Sequence, residues 1–170
     1  MNYEIERKFL ISLPDTDYIL KNFKAEASKI TQTYLDLSDK NINARVRKRE
    51  FSSKTEYTYT EKKRISDIKR IENEKVISEE EYESLLKMAD KSLNAIKKTR
   101  IAFEYGEHIF EIDIFDFWDT FAFLEVELKE ENEEIDFPPF IKILVEVTDK
   151  KEFTNHALAK NIPDLTKLSK

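Results

Sequence analysis

The chain has 170 residues, a mass of 20.3 kDa and a net charge of −6, so it is about one domain long, with room for a real core. It is 40% hydrophobic and 38% charged, a heavily charged globular composition whose net sign argues against nucleic acid, since that binding is driven by phosphate neutralisation. The absence of cysteine excludes disulfides, thiol catalysis and thiolate-bound zinc, and the single glycine excludes a P-loop or dinucleotide fingerprint, so any phosphate must be held by side chains.

The first extended segment, about 3–11, puts Glu4, Glu6 and Lys8 on one face and Tyr3, Ile5 and Phe9 on the other, because side chains alternate across a strand. Asp15 to Lys24 then spaces Tyr18, Ile19 and Phe23 as a helical stripe. A second strand, 30–37, carries Gln32 and Tyr34 on one face, and the pattern leaves its orientation open. The third, 43–50, aligns Arg45, Arg47 and Arg49 opposite Ala44 and Val46. The fourth, 55–63, aligns Thr58, Thr60 and Lys62 opposite Tyr57 and Tyr59, and the fifth, 69–77, aligns Arg70, Glu72 and Glu74 opposite Ile71 and Ile77.

Ser78-Glu79-Glu80-Glu81 reads as a capping box that opens a helix through Ala89, with Tyr82, Leu85, Leu86 and Ala89 on one stripe. Strands 96–105 and 108–116 meet at Gly106-Glu107, a tight hairpin. On them Lys98 and Arg100 lie opposite Ile101 and Phe103, and Glu111 and Asp113 lie opposite Ile112 and Ile114. The eighth strand, 122–129, aligns Glu125 and Glu127 against Leu124, Val126 and Leu128. Trp118 and its phenylalanine neighbours read as packing, and His108 and His156 as surface or capping residues. Pro138 and Pro139 begin a helix at 140–145, and a last helix runs over 154–161.

Alternation alone also describes an ordinary antiparallel sheet with its polar face in water. Two features favour a different arrangement: the charged faces are clustered and mixed in sign, and the opposite faces are aromatic-rich, with amphipathic helices available to cover them. The expected fold is α+β, an eight-stranded antiparallel β-barrel or tunnel with a charged lumen and helices packed outside, in one domain over 1–170. Dry burial of so many ions would cost several kcal/mol each, so water and a charged ligand must fill that lumen. Both signs together suit a metal-complexed phosphate chain. Glu4, Glu6, Asp113, Glu125 and Glu127 are hard oxygen donors for Mg²⁺ or Mn²⁺. Arg45, Arg47 and Arg100 offer planar forks to phosphate oxygens, with Lys8, Lys62 and Lys98 as point charges. Any one of these residues could be half of a surface ion pair worth about 0–1 kcal/mol; the joint pattern is not explained that way.

The opening Glu4-Ile-Glu-Arg-Lys8 resembles the signature of the CYTH superfamily, the triphosphate tunnel metalloenzymes. Further elements match in order: Gln32-Thr-Tyr-Leu35, Arg45-Val-Arg47, Thr60-Glu-Lys62, Arg70-Ile-Glu-Asn-Glu74, Lys98-Thr-Arg100, Glu111-Ile-Asp113, Leu124-Glu-Val-Glu127 and the closing run from Glu146 to Ala159. The resemblance implies an eight-stranded tunnel in which a divalent metal, Mg²⁺ or Mn²⁺, serves chemistry on triphosphates. It implies Glu4, Glu6, Glu125 and Glu127 as metal ligands, with Asp113 as a further metal-side carboxylate. Lys8, Arg45, Arg47, Lys62, Lys98 and Arg100 become triphosphate binders, and Lys151 a late-chain phosphate contact. Thr60-Glu-Lys62 departs from the pattern, with Glu61 at a usually apolar position and Lys63-Arg64 following, which leaves the lysine's register open by one residue.

The expected activity is metal-dependent hydrolysis of a triphosphate, as in bacterial-type inorganic triphosphatases. Lys98 and Arg100 would act on the departing phosphoryl group, Arg70 would join the substrate contacts, and a second metal, or a lumen carboxylate such as Glu72 or Glu74, would prepare the attacking water. Two alternatives stand beside it. One is a class IV-type adenylyl cyclase, although Met1-Asn2-Tyr3 lacks the histidine that cyclases of the family typically carry before the first glutamate. The other is a non-catalytic polyphosphate- or nucleotide-binding module. No apolar run approaches the ~18–20 residues of a membrane span, and no signal-peptide pattern opens the chain. The expectation is therefore a cytoplasmic monomer or homodimer whose partner is a triphosphate-containing small molecule, with no membrane or nucleic acid involved.

Overall fold

The computed structural model describes residues 3–165; Met1, Asn2 and residues 166–170 of the domain expected over 1–170 lie outside the described residues. Chain order is β1 (Tyr3–Ser12), α1 (Thr16–Asn22), β2 (Ala25–Tyr34), β3 (Asn43–Glu50), β4 (Thr55–Arg64), β5 (Lys69–Val76), α2 (Glu79–Leu86), β6 (Ile96–Tyr105), β7 (His108–Phe115), β8 (Phe121–Leu128), β9 (Ile143–Glu146), a 3-10 turn (Lys151–Phe153) and α3 (Asn155–Lys160). Every pairing is antiparallel, in the order β5-β4-β3-β2-β6-β7-β8-β1-β9, and β5 returns to β1, which closes an eight-stranded barrel.

Closure depends on β1. Its whole length from Ile5 to Ser12 pairs with β8, with Glu6 opposite Glu127 and Lys8 opposite Glu125. Its other edge is divided between two strands. Tyr3, Glu4 and Ile5 pair with Ile71, Arg70 and Lys69 of β5, whereas Phe9, Leu10 and Ile11 pair with β9. Here the expected helix over 140–145 is replaced by a turn, in which Ile141 N–H donates to Pro138 O at 3.1 Å, and then by β9. The free N–H and C=O groups of β1 beyond Ile5 supply the reason, since an unpaired ladder edge recruits a strand. The second strand begins at Ala25 rather than 30, because its ladder with β6 runs from Ala25–Phe103 to Gln32–Ile96. Beyond Tyr34 only an isolated bridge, Leu35 to Ala89, continues it.

Local signals act where expected. Ser78 Oγ accepts from Glu81 N–H at 3.1 Å to start α2, which ends at Leu86, short of the expected Ala89. Gly106 has φ +59 at the first central position of the two-residue β6–β7 hairpin, a conformation that favours glycine there. The barrel's outer faces are its main core. Phe9, Phe103, Phe110, Ile112 and Leu124 pack beneath Ile19 of α1 and Ile141, and Val46 and Ala44 pack beneath Tyr82 of α2. A third cluster lies inside the barrel. Leu10, Tyr34, Ile96, Phe115 and Phe123 come from lumen-facing positions and meet Phe153, Leu158 and Ala159 of the C-terminal segment. These residues plug one end on the side of β1, β6, β7 and β8, so the charged part of the lumen is a cavity rather than the whole bore.

Truncating a core residue far from the lumen tests this outer-face core. Ile112 has 0% exposure; Ile112→Ala is expected to cost about 2–5 kcal/mol in urea denaturation, without moving the lumen side chains.

Candidate active site

The charged faces of the strands surround a cavity of about 480 Å³ that opens beside the C-terminal segment 147–157. Antiparallel register places its groups. Arg45 pairs opposite Thr60 and Tyr34, Arg47 opposite Gln32 and Thr58, and Lys62 opposite Glu72 and Asn43. Gln32 and Tyr34 share the lumen face, which settles the orientation of β2: Gln32 Oε1 accepts from Arg47 Nε at 3.2 Å and Nη2 at 2.9 Å. Of the two adjacent lysines on β4, Lys62 lines the cavity and Lys63 is exposed, which settles that register too.

On the basic side, Arg45 is 7% exposed, has no carboxylate partner among the described residues, and leaves Nε without any hydrogen bond. Arg47 likewise makes no ion pair among them; burial, with Arg45 and Arg100 nearby, lowers it to about 9. Beneath the floor lies a buried ionic cluster. Asp113 accepts from Lys98 Nζ at 2.7 Å and from Arg100 Nε at 2.7 Å and Nη2 at 2.9 Å. Burial opposes the charge of Asp113, but Arg100 and Lys98 hold it well below the usual carboxylate range. Burial lowers Lys98 to about 7, with Asp113 working against that shift. Burial also opposes the charge of Arg100, yet Asp113, Glu111 and Glu125 keep it well above its ordinary value. Lys8 lies 3.6 Å from Glu125 and donates to Phe153 O at 2.7 Å, which ties the plug to the site.

The acidic side carries surplus negative charge. Glu4 is raised, first by burial and then by Glu72, with Lys62 at 3.0 Å opposing the shift. Glu6 is raised by burial and by Glu125, although Arg70 sits at 3.2 Å. Glu111 is raised by burial despite its 2.8 Å contact with Arg100. Glu127 is raised by burial and by Glu4, Glu111 and Glu6. Glu125, facing Lys8 and Arg100, ends below the ordinary value against the pull of burial. Among the described residues, no three histidine, aspartate or glutamate side chains converge closely enough to hold a metal as they stand.

The cavity brings together Glu4, Glu6, Lys8, Arg45, Arg47, Lys62, Arg70, Glu72, Arg100, Glu125 and Lys151 from the sequence-derived candidates. Lys98 and Asp113 lie under it, both with fully covered side chains. Glu74 is exposed and accepts from Thr60 Oγ1 at 3.0 Å, and Glu127 is exposed beside the carboxylates; neither lines the cavity. The sequence reading passed over Glu111, although its place on the Asp113 face was already legible. It also missed Tyr34, which lines the cavity because β2 turns its Gln32 face inward, and Asn155 and His156, which do so because the C-terminal segment folds across the opening. His108, read as a surface or capping residue, is buried and bonded to Glu133 at 2.8 Å.

The raised Glu127 gives a signed prediction. A carboxyl whose folded value exceeds its unfolded value makes folding less favourable as the pH rises through that window. Glu127→Gln should therefore raise the melting temperature of the metal-free chain at pH 8, and the gain should vanish by pH 4, as scanning calorimetry would show.

Comparison with known proteins agrees with this geometry. Two solved structures of NE1496 are similar to this chain. The structure described as a hypothetical protein is 30% identical over 94% of this chain and 99% of that one, with TM-score 0.59. The structure described as the inorganic triphosphatase NE1496 is 29% identical over 96% and 99%, with TM-score 0.60. PH1819 from Pyrococcus horikoshii, at 21% identity over 76% of this chain and 81% of that one, shares the fold with TM-score 0.57. HpAC1 from Hippeastrum, described as a putative adenylyl cyclase with a dominant triphosphatase activity, does so at 16% identity over 74% and 80%, with TM-score 0.52. No curated protein matches the chain. The CYTH domain profile matches residues 2–157, and with that coverage over a closed, charge-lined barrel the chain belongs to the CYTH domain family.

Proposed function

We propose that this protein is a divalent-metal-dependent triphosphatase that hydrolyses a triphosphate, with inorganic tripolyphosphate as the first substrate to test. The observation that carries the reading is the pair of guanidiniums, Arg45 and Arg47, set in the cavity with no ion-pair partner among the described residues. Buried cations left without a counter-charge call for an anionic ligand, and planar forks match phosphate oxygens. The description of NE1496 as an inorganic triphosphatase supports the same substrate class.

Arg45, Arg47, Lys62 and Arg70 bind the chain of phosphates in this reading, with Lys8 and Lys151 as further contacts. Arg100 faces the reacting phosphoryl group, oriented by the two-point grip of Asp113. Lys98 shares that carboxylate and is positioned to supply or hold a proton beneath the site. The acidic side fits a hard cation. Glu4, Glu6 and Glu127 carry charge that burial and mutual repulsion disfavour, and carboxylate oxygens are the donors that Mg²⁺ and Mn²⁺ prefer. Glu4 and Glu6 with Glu125 would hold the ion in the cavity, with Glu127 beside them at its margin, and the ion would supply charge neutralisation at phosphate oxygens. Asp113, with both oxygens engaged by cations, acts through Arg100 and Lys98. Glu72, which lines the cavity next to Lys62, is a better placed base for the attacking water than the exposed Glu74.

A phosphate-release assay over tripolyphosphate, ATP and thiamine triphosphate, with analysis for cyclic AMP, tests the reading. Metal-dependent orthophosphate from tripolyphosphate is expected, and cyclic AMP as the main product from ATP would overturn hydrolysis. Arg47→Ala should lower turnover about 10²-fold or more, the usual scale for removing a preorganised charge-stabilising donor. Glu4→Ala or Glu6→Ala should abolish metal-dependent turnover, and retained activity would remove them as ligands. Addition of Mg²⁺ or Mn²⁺ should raise the melting temperature of the wild-type chain by occupying the carboxylate surplus.

A further inference from the structure

Arg100, which faces the reacting phosphoryl group in the proposed reaction, is already surrounded by three carboxylates. Asp113 holds Nε and Nη2 at 2.7 and 2.9 Å, Glu125 stands 3.5 Å from Nη2, and Glu111 Oε2 lies 2.8 Å from Nη1. A two-point grip on phosphate needs adjacent N–H groups, so one of the three must give way. Asp113 is fully buried and also grips Lys98, and Glu125 is buried beside Lys8. Glu111 lines the cavity, keeps 32% of its side chain exposed, and has Arg100 as its one ion-pair partner among the described residues. It is the carboxylate that can leave. A cation without an ion pair among the described residues stands in the same lumen. Arg49 shares the face of Arg45 and Arg47, donates from Nε to Ser28 Oγ at 2.9 Å, and lies over the Phe51 ring, 4.7 Å from its centroid. Glu56, opposite it in the β3–β4 ladder, is taken by Lys54 at 2.8 Å. Burial and then Arg100 lower Arg49, and Glu111 is the carboxylate that opposes this most. On β6, Ala102 pairs with Glu111 and Arg100 with Ser28, so the wall from Glu111 toward Arg49 carries just a methyl beside Arg100.

We propose that Arg49 is a positioning residue for substrate uptake: a phosphate oxygen displaces Glu111 from Arg100, and Arg49 receives the freed carboxylate. The proposal rests on the phosphoanhydride reading of the cavity and accounts for how Arg100 becomes available in it. A phosphate and the Glu111 carboxylate cannot share the Nη1 edge of Arg100, because like charges in contact repel strongly where water is partly excluded. A carboxylate released into the lumen without a counter-ion would carry its own desolvation cost, and Arg49 removes that cost without adding or losing a charge. Arg49 need not touch the substrate to do this. Its bond to Ser28 and its contact with Phe51 hold the guanidinium on the lumen face while no carboxylate claims it. Periodicity puts Arg49 in line with Arg45 and Arg47, yet β3 and β7 are related only through β2 and β6, so the partnership with Glu111 belongs to the closed barrel.

The test compares wild type, Arg49→Gln, Arg49→Lys, Glu111→Gln and the Arg49→Gln, Glu111→Gln double variant. Each is titrated calorimetrically with tripolyphosphate in EDTA, and kcat and KM are measured with Mg²⁺ or Mn²⁺. Arg49→Gln should weaken tripolyphosphate binding about tenfold or more, the scale of one hydrogen bond to a charged group, and should raise KM. Arg49→Lys keeps the charge and should recover most of that loss. Glu111→Gln removes the competitor for Arg100 and should bind tripolyphosphate more tightly than wild type. In that background Arg49→Gln should cost nothing, because no displaced carboxylate remains to be received. A loss that persists there would mean that Arg49 touches the phosphate itself or only supports the fold, and either result overturns the proposal. Unchanged or weaker binding in Glu111→Gln overturns it as well, and that variant decides the matter even where Arg49→Gln does not fold. A wild-type chain that neither takes up tripolyphosphate nor releases phosphate from it fails differently, because it removes the phosphoanhydride reading itself.

Discussion

Ions can line the inside of a small barrel only where water or an ionic ligand stays with them, because dry burial costs several kcal/mol per charge. That constraint organises the molecule. The apolar residues that would ordinarily fill the bore are displaced to its outer surface, so the outside needs cover. It is supplied by α1 and the 135–143 segment over one face and by α2 over another. Inside, the two chemistries are separated. The aromatic plug at one end is buried and meets the C-terminal segment, and the remaining volume is left to charge.

Within that volume the charges are unevenly satisfied, and the unevenness carries functional meaning. Asp113 is fully engaged by Lys98 and Arg100, which makes it a rigid foundation under the cavity. Arg45 and Arg47 have no ion-pair partner among the described residues, while Glu4, Glu6, Glu111 and Glu127 crowd one another. A site with an anion-seeking side and a cation-seeking side is poised for a ligand that supplies both. The ion pairs Lys62–Glu4 and Arg70–Glu6 join those sides across the β1–β5 seam, where three residue pairs among the described residues close the barrel.

Much of this was legible in the chain because strand periodicity is a local property. Once Arg45, Arg47 and Arg49, or Glu4, Glu6 and Lys8, occupy alternate positions, they share a face in any sheet that contains them. Their being charged in mixed clusters then pointed to an enclosed, wet face. The misreading at 140–145 has the opposite origin. Two prolines suggested a helix start, but the unpaired edge of β1 was decisive, and no local signal reports an edge that belongs to a strand more than 130 residues earlier.

The sequence by itself determined which residues are extended, which side chains are neighbours along a strand, that no backbone loop could cradle phosphate, and, through its ordered motifs, the family. Only the tertiary structure decided how the faces meet: that β2 turns Gln32 and Tyr34 inward, that Lys98 and Asp113 lie beneath the cavity rather than in it, that Glu74 and Glu127 stay at its margin, and that the C-terminal segment brings Asn155 and His156 to its wall. Periodicity fixes direction within a strand, whereas depth, pairing and exposure depend on register and on which segments fold across the opening. Those are long-range properties of the closed barrel.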